Sequence, residues 1–190
     1  VARAGAFVTS TDATVSAFAR MPLVAFEEQT ASLGRPGKTL LSAMLLFEAL
    51  KAHGVRYLAD SNTPYTQVSA DRALVDNIQY PAQTLASKAG DCDDLTVLYA
   101  SLLENAGIAT ALVDYPGHIF LLFDSGVGRQ ESYKLPLEET RYIVLGDRLW
   151  IPVEVTLVDR SFEEAWQAGL DELAKLAPLE RRNRVVETAT

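Results

Sequence analysis

From Leu95 to Ala106 the apolar residues fall at Leu95, Leu98, Tyr99, Leu102, Leu103 and Ala106. That is the i, i+3, i+4, i+7 spacing of one helix face. Asp91 precedes the run as an N-cap, Asp94 follows three residues later in the manner of a capping box, and Gly107 provides the stop. Between Thr39 and His53 the apolar positions Leu40, Leu41, Met44, Leu45, Phe47 and Leu50 point nearly all round. They predict a well-buried helix that ends at Gly54. Ser161-Phe162-Glu163-Glu164 reads as a second capping box, opening a helix to about Leu176.

Other stretches alternate or run apolar as strands do. Ala109–Tyr115, Gly117–Asp124, Tyr142–Leu145 and Arg148–Leu157 are the predicted strands. The last two flank Gly146-Asp147, a two-residue hairpin signal. Pro152 inside the final run predicts an edge position or a bulge, because proline cannot donate to a ladder. The N-terminal part is less patterned. Short helices are expected at Ala13–Met21 and Phe26–Ser32, and Gly34-Arg35-Pro36-Gly37 reads as a breaker. Val55–Leu58 reads as a short strand, Asp60–Gln67 as a loop and Ser69–Val75 as a short helix. A turn at Asn77-Ile78-Gln79-Tyr80-Pro81 then leads through Ala89 toward the cysteine. Helices first and an antiparallel sheet afterwards make an α+β layout.

Composition narrows the function classes. The chain has 190 residues, 48% hydrophobic and 22% charged, which suits one domain with decorations. Its formal net charge is -8, with no basic cluster suited to nucleic acid or an anionic membrane. Arg181, Arg182 and Arg184 are read as a solvated tail. No uninterrupted apolar run is long enough to span a membrane. The chain begins at Val1 with no signal-peptide pattern, so it is read as an excised or processed piece of a larger polypeptide.

The single cysteine excludes an internal disulfide and a multi-cysteine metal site. Cys92 falls at about the first helical position, where the macrodipole favours thiolate. Asp91, Asp93 and Asp94 oppose this, since nearby negative charge raises a thiol pKa. The plainer reading is a small buried hydrophobe. His118, after Pro116-Gly117, sits at a strand start where it can reach a cleft. His53 reads as a cation at a helix end. Asp124 shares a strand face with His118 but lies roughly 20 Å along a regular strand. Glu154, a carboxylate in an apolar run, needs a partner. It is preferred over Asp114 as the group that orients His118, and its plainer reading is an ion pair with Arg141 or Arg148. There is no Walker-type phosphate loop and no two-histidine metal spacing. The three aspartates offer oxygen ligands for calcium, though acids at a helix start are commonly dipole partners.

Three blocks in order, Gly90-Asp91-Cys92-Asp93-Asp94-Leu95, Pro116-Gly117-His118-Ile119-Phe120 and Trp150-Ile151-Pro152-Val153-Glu154-Val155-Thr156, resemble the transglutaminase-like cysteine-enzyme superfamily. The resemblance covers residues 77–157 and is closest to the bacterial transglutaminase-like cysteine proteinases. It implies a papain-like core in which the nucleophile helix packs on an antiparallel sheet. It also implies Cys92 as nucleophile, His118 as base and acid, and Glu154 as third member, where the family usually has Asp. Calcium at Asp91, Asp93 and Asp94 and an extracytoplasmic location are further implications. On this reading residues 1–76 are a helical flank of the same domain and 158–190 a C-terminal helix and tail. The expected activity is amide hydrolysis or acyl transfer on a protein or peptide through a thioester, with no cofactor required. Proteolysis is favoured over cross-linking. Cys92 N–H, Gln79, Tyr80 and Gln83 are the candidate oxyanion donors. The alternative is an inactive peptide- or protein-binding module on the same fold.

Overall fold

The computed structural model describes residues 2–59, 78–115, 118–176 and 185–188. In chain order the elements are α1 (Ala2–Gly5), α2 (Ala13–Ala25), α3 (Glu27–Ala31), α4 (Arg35–His53), β1 (Arg56–Tyr57), α5 (Pro81–Ser87), β2 (Ala89–Gly90) and α6 (Cys92–Asn105). Then follow β3 (Thr110–Tyr115), β4 (His118–Gly128), β5 (Ile143–Leu145), β6 (Arg148–Val153), α7 (Phe162–Lys175) and β7 (Val185–Glu187). The fold is α+β. Its main sheet has the order β5-β6-β4-β3-β7, with every pairing antiparallel. A separate parallel pair, β1-β2, sits beside the start of α6.

Helix α6 is the centre of the molecule. Every residue from Cys92 to Leu103 is buried, so this helix exceeds the one-sided burial its apolar spacing predicted. One side packs on β3 and β4, the other on α2, α4 and α5. Polar side chains in its middle are tolerated because they are hydrogen-bonded. Tyr99 Oη donates to Ala43 O at 2.9 Å and Ser101 Oγ to Val97 O at 2.8 Å. The stop is left-handed: Gly107 has φ +75, and the Ile108 N–H reaches back to Leu103 O at 2.9 Å.

The alternation of the sheet separates two apolar layers. Leu112, Ile119, Leu121, Phe123, Ile151 and Val153 face the helices, while Ala111, Val113, Phe120, Leu122 and Trp150 meet Leu173 and Leu176 on the other side. Helix α7 lies against β6, and Gly169 makes this approach close. A Cβ there would stand 2.8 Å from both Pro152 C and Val153 N.

Several sequence expectations need correction. The Gly34–Gly37 stretch starts α4 rather than breaking the chain: Gly34 is the N-cap and Pro36 falls in the first turn, where its missing N–H costs nothing. Helix α4 is one-sided, with Ser42, Ala43, Leu46, Phe47 and Leu50 buried and Met44 37% exposed. Strand β6 stops at Val153 instead of reaching Leu157, and the chain turns into a 3-10 segment, Val155–Leu157. Pro152 is tolerated because β5 pairs only with Arg148, Leu149 and Trp150, leaving that side of β6 a local edge. The C-terminal segment contributes a strand, β7, on the outer side of β3. The expected loop at Asp60–Gln67, the helix at Ser69–Val75 and Arg181, Arg182 and Arg184 lie outside the described residues.

Candidate active site

Cys92 begins α6 because Asp91 caps it. Asp91 Oδ1 accepts from the Asp94 N–H, and the Asp94 carboxylate accepts from the Asp91 N–H, both at 3.3 Å. Gly90 lets the chain enter this cap closely, since a Cβ at 90 would lie 2.6 Å from Asp94 Cβ. Asp94 is held further by Gln79, whose backbone N–H and side-chain Nε2 each donate to it at 2.6 Å. Burial raises the Asp94 pKa, and the Gln79 hydrogen bonds pull against that shift.

Helix α6 is docked on β4. The pairing of β6 with β4 ends at Leu121 opposite Val153, so the flank of β4 beyond it is open to α6. The Ile119 carbonyl there accepts a long bond, 3.5 Å, from Thr96 Oγ1 one turn along α6 from Cys92, and the Ile119 N–H acts on the Cys92 thiol, lowering its pKa. The residue before Ile119 is His118, so the start of α6 lies against the stretch of β4 that carries the imidazole.

Glu154 lies just past the end of β6, not within a strand as its apolar surroundings suggested. It caps the 3-10 turn, and its own N–H donates to Ala165 O of α7 at 2.9 Å. His118 Nε2 meets Glu154 Oε2 at 2.5 Å. The other carboxylate oxygen, Oε1, accepts from the Thr156 N–H at 3.0 Å and from Thr156 Oγ1 at 2.5 Å. A buried carboxylate, 5% exposed, is thus fully partnered. The plainer alternatives are filled elsewhere: Arg148 pairs with Asp124, and Arg141 with Glu163 at 2.6 Å. Asp114 sits opposite Ile119 on β3, in the alternate register from His118. The imidazole itself lies over Phe120, with ring centroids 6.5 Å apart.

The electrostatics of Cys92 run against the thiolate expected from its place at a helix start. It is 5% exposed. Burial pushes its pKa well up, Asp93 and Asp91 add to this, and the Ile119 and Asp93 N–H groups offset only part of it. Local desolvation and two adjacent charges outweigh the helix end.

Other candidate residues have structural duties. His53 Nε2 contacts Leu85 O at 3.2 Å and its ring packs edge-on to Phe18, which ties α4 to α5 and α2. Gln79 spends its amide nitrogen on Asp94 at 2.6 Å rather than on an oxyanion, and Gln83 Oε1 accepts from the Tyr80 N–H at 2.9 Å. Asp91, Asp93 and Asp94 have ligand atoms within 4.8 Å of one another. Yet N–H donors already point at all three carboxylates. All three serve the helix cap, and the same cluster is the group among the described residues that could hold a hard cation.

No sequence pattern assigned Thr156 or Ile119 a role at the site, and Gln79, a candidate oxyanion donor, holds Asp94 instead. Thr156 follows Glu154 by two residues, the spacing of a local side-chain to backbone turn, and that signal was readable. Among the described residues no helix is long and apolar enough to cross a membrane. Comparison with family models, with curated proteins and with solved structures returned no match.

Proposed function

We propose that the chain is a cysteine-dependent amide hydrolase or acyl transferase of transglutaminase-like, papain-like type, acting on a protein or peptide. One observation supports this reading: His118 pairs with the buried, fully partnered Glu154 on the strand whose Ile119 carbonyl takes up Thr96 of the helix that Cys92 begins. Glu154 engages Nε2, so Nδ1 is the ring nitrogen that serves the thiol. At rest the thiol keeps its proton. In the reaction Cys92 Sγ attacks the amide carbonyl carbon while His118 takes that proton, and Glu154 stabilises the imidazolium that forms. The carbon–nitrogen bond breaks as His118 passes the proton to the leaving amine. Water then attacks the thioester and restores the thiol, or an acceptor amine does so in its place. Hydrolysis is the simpler outcome, since water needs no second binding site.

The second reading, a binding module without catalysis, draws on the burial of Cys92 and its raised pKa. Iodoacetamide alkylation of Cys92 against pH, followed by intact mass for the wild type and His118→Ala, separates the two. An alkylation rate that falls in the mutant across the neutral range is the expected result. Identical profiles, both rising only above the ordinary thiol value of about 8.5, would leave the binding module standing.

A further inference from the structure

A tetrahedral intermediate at Cys92 needs its oxygen held. The Cys92 N–H, at the first helical position, has no acceptor within the helix and supplies one donor. Tyr57 is the candidate for a second. β1 pairs in parallel with β2, Tyr57 opposite Gly90, and the Leu58 N–H donates to Gly90 O at 2.9 Å. Gly90 is followed by Asp91 and Cys92, so β1 runs beside the chain as it enters the nucleophile helix. β1 also packs against the 3-10 turn that Glu154 caps. Tyr57 therefore lies between the start of α6 and the acid that holds His118. Burial, and then the charges of Cys92, Asp91, Glu154 and Asp93, raise its pKa, so the phenol lies within the field of all four groups. The hydroxyl keeps its proton and remains a donor at neutral pH. The side chain is 45% exposed, so a ligand entering the site can meet it.

We propose that the Tyr57 hydroxyl donates to the acyl oxygen and forms, with the Cys92 N–H, the oxyanion pocket of this site. The assignment rests on the reading of Cys92 as nucleophile, and two reagents separate the two claims. With 4-nitrophenyl acetate the sulfur–carbon bond forms, the carbonyl oxygen takes up negative charge, the thiol proton passes to His118, and 4-nitrophenolate leaves as the carbon–oxygen bond breaks. With iodoacetamide the sulfur displaces iodide at a saturated carbon and no oxyanion develops. Tyr57→Phe keeps the ring and removes only the hydroxyl. It is expected to slow acylation of Cys92 by about 10²-fold, the usual cost of one oxyanion donor, while alkylation stays within about twofold. His118→Ala is expected to slow both reactions. Acylation that depends on His118 but is unaffected by Tyr57→Phe, or equal slowing of both reactions in that variant, overturns the Tyr57 assignment alone. A thiol inert to both reagents, or indifferent to His118→Ala, overturns the nucleophile reading and this assignment with it.

Discussion

The two halves of the site are built on opposite electrostatic terms. Where β4 meets β6, His118 and Glu154 are matched, and Thr156 satisfies the remaining carboxylate oxygen. At the start of α6 the thiol is buried among acids that hold its proton on. One half pairs an imidazole with a carboxylate, and the other is reluctant to release its proton. The contrast teaches that position in a fold and chemical readiness are separate properties. The first turn of a helix favours an anion by a modest amount, and desolvation with two neighbouring carboxylates reverses that preference.

The largest effect should come from removing the acceptor. His118→Ala is expected to slow acylation of Cys92 by about 10²- to 10⁴-fold, the range of a general base, as followed by release of 4-nitrophenolate. An unchanged rate would dissolve the pairing of the two halves. Glu154→Gln keeps the size of the side chain but loses the charge. Its expected loss is about 10²-fold, the lower end of that range, and a rate equal to wild type would reduce Glu154 to a structural cap.

Gly169→Ala disturbs the same half from behind. The added Cβ meets backbone at 2.8 Å, which cannot give way as a side chain can, and α7 also holds the Glu154 N–H through Ala165. A loss of about 1–3 kcal/mol in unfolding free energy is expected from such overpacking. The urea midpoint measures it, and a midpoint at or above wild type would show that α7 is not seated on β6 as described.

The reluctant half has its own tests, and their effects are smaller. Asp93→Asn removes a charge that raises the thiol pKa, so the pH profile of alkylation should move to lower pH. A one-unit move reads as about tenfold faster alkylation at fixed pH below the midpoint. A profile that stays in place would mean that burial alone sets the thiol. The raised thiol pKa also bears on stability. The unfolded thiol ionises near its ordinary value of about 8.5 while the folded one stays protonated, so stability falls as pH rises above that value. Cys92→Ala should flatten this alkaline limb. Equal slopes for the two proteins, in urea midpoints taken from pH 8 upward, would contradict the shift.

Much of this arrangement was legible from local pattern. The cap at Asp91, the hairpin at Gly146-Asp147 and the box at Ser161 are short-range devices, and each is found where its residues predicted it. The sequence also offered Glu154 as the partner of His118, and the two are hydrogen-bonded. What sequence concealed was decided by tertiary contact. β1 falls inside the strand predicted at Val55–Leu58, but its partner β2 is only two residues long, too short for any alternation to register, and forms only because distant segments lie side by side. β7 extends the sheet by pairing with β3, and three residues near a chain end carry no signal of that. The true start of α4 was obscured because glycine and proline serve both as breakers and as helix openers. The capture of Ile119 involves main-chain atoms that every residue type except proline presents, so no side-chain pattern could announce it.

That capture makes position 119 unusual in its tolerance of change. The carbonyl that takes up Thr96 and the N–H that lowers the thiol pKa are groups common to valine, leucine and isoleucine alike, while the side chain there fills the layer beneath α6. Drift among apolar residues of similar size should leave both main-chain groups in place. Proline alone would remove the N–H without touching the side chains of Cys92, His118 or Glu154. A survey of substitutions scored only by side-chain character would pass over the main-chain atoms by which α6 and β4 are joined.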